Sequence, residues 1–222
     1  MILGDSRICN FEYLQENRRT RDQYRTVILY KRGAKISDLE KLVLDFDEHH
    51  NREILFVIAA GINNFTKKKY NKRNEFELIS AGVNSVCDIV HEALKSLKRL
   101  IFSKFERAKV VLCTIPHANL QKYNEYRVSR GKLSVRKYSD SEEQGLVSIA
   151  VDGMNEFINH LNFTAGVRTI SLHKACCKEK KESHLFSKLR PGSLYDGLHP
   201  TRHTEENWFR RIHQCAHIML EQ

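Results

Sequence analysis

Ile54-Leu-Phe-Val-Ile-Ala-Ala60, followed directly by Gly61-Ile-Asn-Asn64, is the most informative segment of this chain. Its first part is apolar throughout and rich in β-branched residues, a pattern typical of a strand covered on both faces of a parallel sheet. Its second part contains glycine and asparagine, which favour a turn. The segment therefore predicts an α/β fold in which polar residues gather where a buried strand ends.

Four further apolar runs are similar and are separated by longer amphipathic segments. These runs are Met1–Leu3, Thr26–Tyr30, Lys109–Ile115 and Val167–Leu172. Between and after them, apolar residues recur every three or four positions over 36–46, 74–107, 146–161 and 208–219, which indicates helices. Strands that alternate with helices form right-handed βαβ units. We therefore predict a three-layer α/β/α sandwich around a five-stranded, mostly parallel sheet of the flavodoxin-like type.

Length and composition favour one globular domain over residues 1–222. The chain has 37 Lys and Arg against 27 Asp and Glu, a formal net charge of +10, and 41% hydrophobic residues, a composition typical of globular proteins and not of long disordered regions. No apolar run approaches the roughly 18 residues of a membrane span. Because the first residues lack the features of a signal peptide, we expect a cytoplasmic protein with reduced cysteines, or a domain of a longer one.

Residues suited to acyl transfer follow the predicted strands. Ser6 follows the first run, Gly33 the second and Asn63 the third, whereas Asp196 and His199 lie near the end of the chain. In an open α/β sheet such positions meet at one edge. His199 can accept the proton of the Ser6 hydroxyl, and Asp196 can hold the other ring nitrogen. Backbone N–H groups of Ser6 and Gly33, with the Asn63 amide, can stabilise an oxyanion.

The order and spacing of these residues resemble the SGNH (GDSL-type) hydrolases. The matching blocks are Gly4-Asp5-Ser6, Gly33, Gly61-x-Asn63 and Asp196-x-x-His199. They span nearly the whole chain. The resemblance implies a serine esterase that cleaves a carboxylic ester, acetyl or short acyl, through an acyl-enzyme and without a cofactor. It assigns Ser6, Asp196 and His199 to catalysis and Ser6, Gly33 and Asn63 to the oxyanion hole.

Two positions depart from that family's usual pattern. The third block normally ends in aspartate, but here Asn64 exchanges a charged acceptor for a neutral amide of similar shape. We expect this exchange to affect the geometry of the loop or the activity. Arg7 follows Ser6 where family members often carry an apolar residue, so we expect added positive charge at the mouth of the site.

A basic cluster close to Asn63 supports a second hypothesis. The cluster comprises Lys67, Lys68, Lys69, Lys72 and Arg73. Clusters of this kind bind phosphate backbones through counterion release, although a solvated surface has the same composition. The rival function is therefore a weakly active or inactive SGNH-like module that binds RNA or DNA through basic patches. The expected partners are a small-molecule or polymer-borne ester and, through this cluster, nucleic acid.

One segment of the sequence offers four candidate metal ligands within twelve residues. His173, Cys176, Cys177 and His184 are side chains that bind zinc in other proteins. Two adjacent cysteines rarely bind the same ion with good geometry, and the segment between Cys177 and His184 is highly charged. We therefore predict no metal site.

Overall fold

The computed structural model describes residues 1–16, 24–47, 52–134, 140–176 and 192–221. The strands in these ranges are β1 (Ile2–Gly4), β2 (Ile28–Tyr30), β3 (Ile54–Ala59), β4 (Thr66–Tyr70), β5 (Phe76–Ser80) and β6 (Ala108–Leu112). The helices are α1 (Phe11–Glu16), α2 (Leu39–Leu44), α3 (Ile62–Phe65), α4 (Asn84–Lys104), α5 (Leu120–Ser129), α6 (Asp140–Thr164), α7 (Leu172–Cys176) and α8 (Arg202–Leu220). None of these helices is both long enough and apolar enough to cross a membrane.

The central sheet is parallel and has the strand order β2-β1-β3-β6. Ile2 of β1 pairs with Ile28 on one side and with Val57 on the other, so β1 lies between β2 and β3. The α/β/α prediction is confirmed, but the sheet has four strands where five were predicted. The run Val167–Leu172 contributes only an isolated bridge from Ile170 to Cys113, because the chain turns into α7 directly afterwards.

Burial on both faces of the sheet explains the continuous apolar run of β3. Phe56 and Ile58 pack in one apolar cluster, with α2, α4 and α6, whereas Leu55 and Val57 pack in another, with α1, α7 and α8. Each of these four side chains is at most 4% exposed. Because successive side chains of a strand point to opposite faces of the sheet, neighbouring apolar residues of β3 pack in opposite layers. The second cluster includes Trp208, which is 1% exposed.

An antiparallel hairpin occupies part of the region where the sequence predicts a helix from residue 74. β4 and β5 pair from Thr66–Ser80 to Tyr70–Phe76, and helix α4 begins only at Asn84. The Asn124 side chain of α5 accepts a hydrogen bond from the Leu78 N–H at 2.8 Å and donates one to the Leu78 carbonyl at 3.0 Å. This buried tertiary contact satisfies both backbone groups of Leu78 on the free edge of β5, and the spacing of apolar residues does not indicate it.

Replacing Gly61 with alanine is expected to destabilise the fold by about 1–3 kcal/mol, the usual cost of a residue held in a disfavoured backbone region. Gly61 has a φ of +136°, and an added Cβ would lie 2.5 Å from Ile115 Cδ1. Gly153→Ala is the control, since this exposed helical glycine has no neighbour within 4 Å of the added atom. We expect the control to stabilise by about 0.5–1 kcal/mol. Urea denaturation measures both changes in the free energy of unfolding. Equal effects of the two substitutions would contradict a special role of Gly61 in the turn.

Candidate active site

The turn after β1 is built around a buried ion pair. Asp5 begins the short 3-10 helix Ser6–Ile8, and its Oδ1 accepts a hydrogen bond from the Arg7 N–H at 2.9 Å. The Arg7 side chain pairs with Asp5 at 3.3 Å and donates to the Pro116 carbonyl at 3.1 Å. Arg7 is only 3% exposed. The expectation that Arg7 adds charge at the mouth of the site is therefore wrong, because its charge is neutralised inside the turn.

The loop before α8 is shaped by Asp196. Its Oδ1 accepts hydrogen bonds from the N–H groups of Leu198 at 2.9 Å and His199 at 2.7 Å. Gly197 has a φ of +91°, and a Cβ there would lie 2.3 Å from the Asn119 carbonyl oxygen. The Asn119 N–H donates to the Gly197 carbonyl at 2.6 Å. The loop is thereby fastened to the segment that follows β6.

These two segments bring Ser6 and His199 into contact although 193 positions separate them in the chain. Ser6 Oγ lies 3.2 Å from His199 Nε2, and His199 Nδ1 lies 2.8 Å from Asp196 Oδ2. The carboxylate favours the tautomer with the proton on Nδ1, which leaves the Nε2 lone pair facing the hydroxyl. The His199 side chain is 24% exposed and Ser6 is half-buried, so a solute can reach both.

Two buried carboxyl groups near this contact have opposite pKa shifts. Burial by itself raises the pKa of Asp196, but hydrogen bonds from the His199 ring and from two backbone N–H groups outweigh it and lower that pKa. Burial raises the pKa of Glu205, and its hydrogen bond from Asn10 at 2.8 Å offsets only part of the rise. The contacts of Asp196 therefore favour its carboxylate form.

The acid stability of the protein is expected to depend on Asp196. Its pKa is lowered in the folded chain, so its contribution is present above the unfolded pKa of about 3.9 and is lost as pH falls through the folded value. The difference in unfolding free energy between the wild type and Asp196→Asn should be constant near neutral pH and shrink below about pH 4. Urea denaturation over this pH range measures it. A difference that grows with acid would contradict the assignment.

The two predicted oxyanion residues follow β2 and β3, the strands on either side of β1, which Ser6 follows. Gly33 follows β2 with a φ of +71°, and Asn63 lies in α3 after β3. The Asn63 side-chain amide donates to the Ala34 carbonyl at 3.1 Å, which joins α3 to the loop that contains Gly33. Asn64 is 7% exposed, and its Oδ1 accepts the Ile36 N–H at 3.1 Å. Its amide oxygen thus makes an acceptor contact that a carboxylate oxygen could also make.

Two residues beside His199 were not predicted from the sequence. Tyr195 is 52% exposed and stacks on the His199 ring at 5.8 Å between centroids. Burial of its hydroxyl and the nearby Asp196 raise the pKa of Tyr195 to about 12, so it is neutral at physiological pH. Glu205 lies in an ordinary amphipathic helix and had no signal in the sequence. Tyr195 adjoins the Asp196 block, which is the only signal that could have indicated it.

The basic cluster lies on the hairpin. Lys67, Lys68 and Lys69 are exposed along β4, and Lys72 and Arg73 are exposed in the turn that follows. Since Thr66 directly follows α3, the cluster adjoins the helix that contains Asn63.

A second group of polar side chains has donor atoms suited to a metal ion. His117, Asp152 and His173 offer atoms that all lie within 4.8 Å of one another. Burial and the neighbouring His117 lower the pKa of His173 to about 4. Of the zinc-competent residues in the sequence, Cys177 and His184 lie outside the described ranges. Cys176 is fully buried in the apolar cluster with Trp208.

A cavity of about 600 Å³ opens at the amino ends of the strands. Ile2, Ile54, Arg25 and Arg210 are among its lining residues, whereas Ser6, Asp196 and His199 are not. It therefore lies away from the candidate chemistry.

Comparisons with protein-family models and with curated proteins found no match. Solved structures do match. A GDSL-like lipase from Bacteroides thetaiotaomicron VPI-5482 is 14% identical, with a TM-score of 0.60, over 96% of this chain and 84% of that one. The acetyl xylan esterase AlAXEase is 18% identical, with a TM-score of 0.61, over 96% and 97%. The OSK domain of Drosophila Oskar is 11% identical, with a TM-score of 0.56, over 96% and 86%.

Structural similarity at such low sequence identity shows a shared fold and not a shared activity. The matches nevertheless extend over almost the whole chain and include lipase and esterase structures. This chain has the fold of the SGNH (GDSL-type) hydrolases.

Proposed function

We propose that this chain is a serine hydrolase that cleaves a carboxylic ester with an acetyl or other short acyl group. The observation that carries the proposal is the continuous hydrogen-bonded series from Ser6 Oγ through the His199 ring to the buried Asp196 carboxylate. Structures described as a GDSL-like lipase and an acetyl xylan esterase have the same fold, which agrees with a hydrolase. The arrangement is that of an activated nucleophile, its base and the group that orients the base.

The reaction proceeds in two steps. As Ser6 Oγ forms a bond to the ester carbonyl carbon, its proton passes to His199 Nε2, and Asp196 stabilises the imidazolium. When the tetrahedral intermediate collapses, the bond to the alcohol oxygen breaks and the alcohol leaves with that proton. Water then repeats the sequence on the acyl-enzyme, releasing the carboxylic acid and restoring Ser6.

The oxyanion of each intermediate needs preorganised donors. The backbone N–H groups of Ser6 and Gly33 and one side-chain N–H of Asn63 are assigned to this role. Asn63 uses one N–H to bind Ala34, and a primary amide has two. Each such donor is worth about 2.7–4 kcal/mol in the transition state.

Purified protein incubated with p-nitrophenyl acetate tests this proposal. We expect turnover with many product molecules per enzyme and an acetylated protein in rapidly quenched samples. Longer acyl esters should be cleaved more slowly. A folded protein that releases no p-nitrophenol above the buffer rate, with any short acyl ester, would overturn the proposal.

A second function, binding of single-stranded nucleic acid, is inferred from the surface between the hairpin and His199. Arg127 places its guanidinium 3.5 Å from the Phe76 ring, and Lys68 lies 4.8 Å from the same ring. Tyr126 directly precedes Arg127 on α5. Its ring centroid lies 6.1 Å from that of Tyr195, which stacks on His199. Basic and aromatic side chains thus alternate from the hairpin to the site.

That alternation suits single-stranded nucleic acid, in which lysine and arginine contact phosphates and aromatic rings stack on bases. The formal net charge of +10 favours the same ligand. Tyr195, being half exposed, offers a ring face at the site itself. Binding and hydrolysis can coexist, since the hairpin residues take no part in the acyl transfer.

Removal of the hairpin charge is expected to weaken binding of a single-stranded oligonucleotide. If Lys67, Lys68 and Lys69 each contact one phosphate, replacing all three with alanine should reduce the slope of log K against log salt by about 2. The matched control replaces Arg99, Arg210 and Arg211, three exposed residues on α4 and α8, with alanine. Fluorescence anisotropy measures the affinities. Equal losses of affinity in both variants would show that binding depends on total charge and not on the hairpin.

A further inference from the structure

We propose that His117, Asp152 and His173 form a binding site for one Zn²⁺-like divalent ion. The three residues come from different parts of the fold: the segment after β6, the middle of α6 and the first turn of α7. His117 Nε2 lies 2.8 Å from Asp152 Oδ1, and the two imidazole rings are 4.7 Å apart between centroids. Two imidazoles and one carboxylate are a ligand set that zinc uses together with water.

The distances require only small side-chain movements to accept an ion. All three ligand atoms lie within 4.8 Å of one another. In a tetrahedral zinc site with bonds of about 2.0–2.2 Å, ligand atoms are separated by roughly 3.3 Å. The ion would enter between His117 and Asp152, which are now hydrogen-bonded, with the His117 proton moving to Nδ1 so that Nε2 can coordinate. Small torsional changes of His173 would complete the set.

The surroundings favour a site that is held on one side and open on the other. The His117 side chain is 6% exposed, whereas the Asp152 side chain is 45% exposed, so water can reach the fourth position. The backbone N–H of His173 donates to Thr114 Oγ1 at 3.0 Å, which fixes the start of α7 against the segment after β6. The hydrogen bond between His117 and Asp152 holds two of the three ligand side chains together before an ion arrives.

The same segment supports the candidate active site, which gives the ion a role. The Pro116 carbonyl accepts a hydrogen bond from the Arg7 guanidinium, and the Asn119 backbone N–H donates one to the Gly197 carbonyl. An ion at His117 would join α6 and α7 to the segment that holds both of these contacts. We assign it a stabilising role at this edge of the sheet, outside the acyl-transfer steps.

Calorimetric titration of the chelator-treated full chain with Zn²⁺ tests the site. We expect one ion per chain, and at least about tenfold weaker binding in Asp152→Asn and in His173→Gln. His203→Gln is the matched control, since His203 is exposed on α8, and should bind as the wild type does. Zn²⁺ should also raise the Tm of the wild type and of the control, and not that of the two site variants. Wild-type affinity in both site variants would overturn the proposal.

Substitution with Co²⁺ separates this site from one made of cysteines. Two histidines and a carboxylate give visible d–d bands without the strong near-ultraviolet band of thiolate-bound cobalt. A thiolate band, or the absence of stoichiometric binding, would overturn the proposal. Neither measurement depends on ester turnover, so failure here and failure of the proposed hydrolase are distinguishable.

Discussion

Replacing Ser6 with alanine is expected to lower kcat for p-nitrophenyl acetate by at least about 10³-fold, because its hydroxyl is the proposed nucleophile of the acyl-enzyme. Residual catalysis would come from the oxyanion donors and from binding alone. Since Ser6 is only half-buried and its hydroxyl contacts His199 at 3.2 Å, the free energy of unfolding should change by less than about 1 kcal/mol.

The control for this experiment is Ser103→Ala. Ser103 is exposed on α4, where its hydroxyl donates to the Leu100 carbonyl at 2.9 Å, and it takes no part in the contacts among Ser6, His199 and Asp196. Its turnover should equal that of the wild type. If Ser6→Ala retained wild-type turnover, the observed activity would belong to another residue.

Replacing Asp196 with asparagine is expected to lower kcat by about 10⁴-fold, the effect typical of an orienting aspartate in a serine hydrolase. The amide can turn an N–H towards His199 Nδ1, which then accepts and places the ring proton on Nε2, facing Ser6. The hydroxyl proton would have no acceptor. The side-chain oxygen of the introduced asparagine can still accept the backbone N–H groups of Leu198 and His199, so the loop should keep its shape.

Glu53→Gln is the matched control for the loss of one carboxylate. Glu53 pairs with Lys109 at 2.8 Å on an exposed face at the amino end of β3, and its hydrogen bond from Lys109 lowers its pKa. Its removal should leave kcat unchanged. A decrease smaller than about tenfold in Asp196→Asn would show that Asp196 does not orient the base.

The meeting of Ser6 with His199 was expected on two grounds. Ser6 directly follows a buried strand, and such positions lie at one edge of a parallel sheet, whatever their separation in the chain. His199 lies in the loop before α8 and not after one of the described strands, so its place was expected from the resemblance of Asp196-x-x-His199 to the last block of the SGNH hydrolases. The apolar run of β3 showed that the sheet is covered on both faces, and the alternating helices supplied the layers. These features depend on local composition, which a sequence displays directly.

The hairpin could not be predicted because its stability depends on tertiary contacts. Phe76 and Ile79 fit a helical repeat with the residues of α4, yet the Asn124 side chain binds both backbone groups of Leu78 and keeps β5 extended. The isolated bridge at Ile170 has a similar origin, since an apolar run alone does not set how many residues pair. In both places long-range contacts overrode the local pattern.

The contacts around the site also could not be predicted from the local sequence pattern. Arg7 was expected to be exposed from its neighbours in the chain, whereas Pro116, which is distant in sequence, provides a buried acceptor. Tyr195 is close to His199 in the sequence, but only the folded chain shows that its ring stacks on the imidazole, and that Glu205 lies near His199. Ring stacking and charge neutralisation by distant segments leave no trace in the order of residues.

Labelling with an active-site-directed fluorophosphonate, followed by peptide mass spectrometry, tests most directly whether Ser6 is an activated nucleophile. We expect one adduct per chain, located on Ser6, and strongly slowed labelling of a His199→Ala variant that keeps the wild-type fold. An adduct on another residue, or a folded wild-type chain that reacts no faster than His199→Ala, would contradict this expectation.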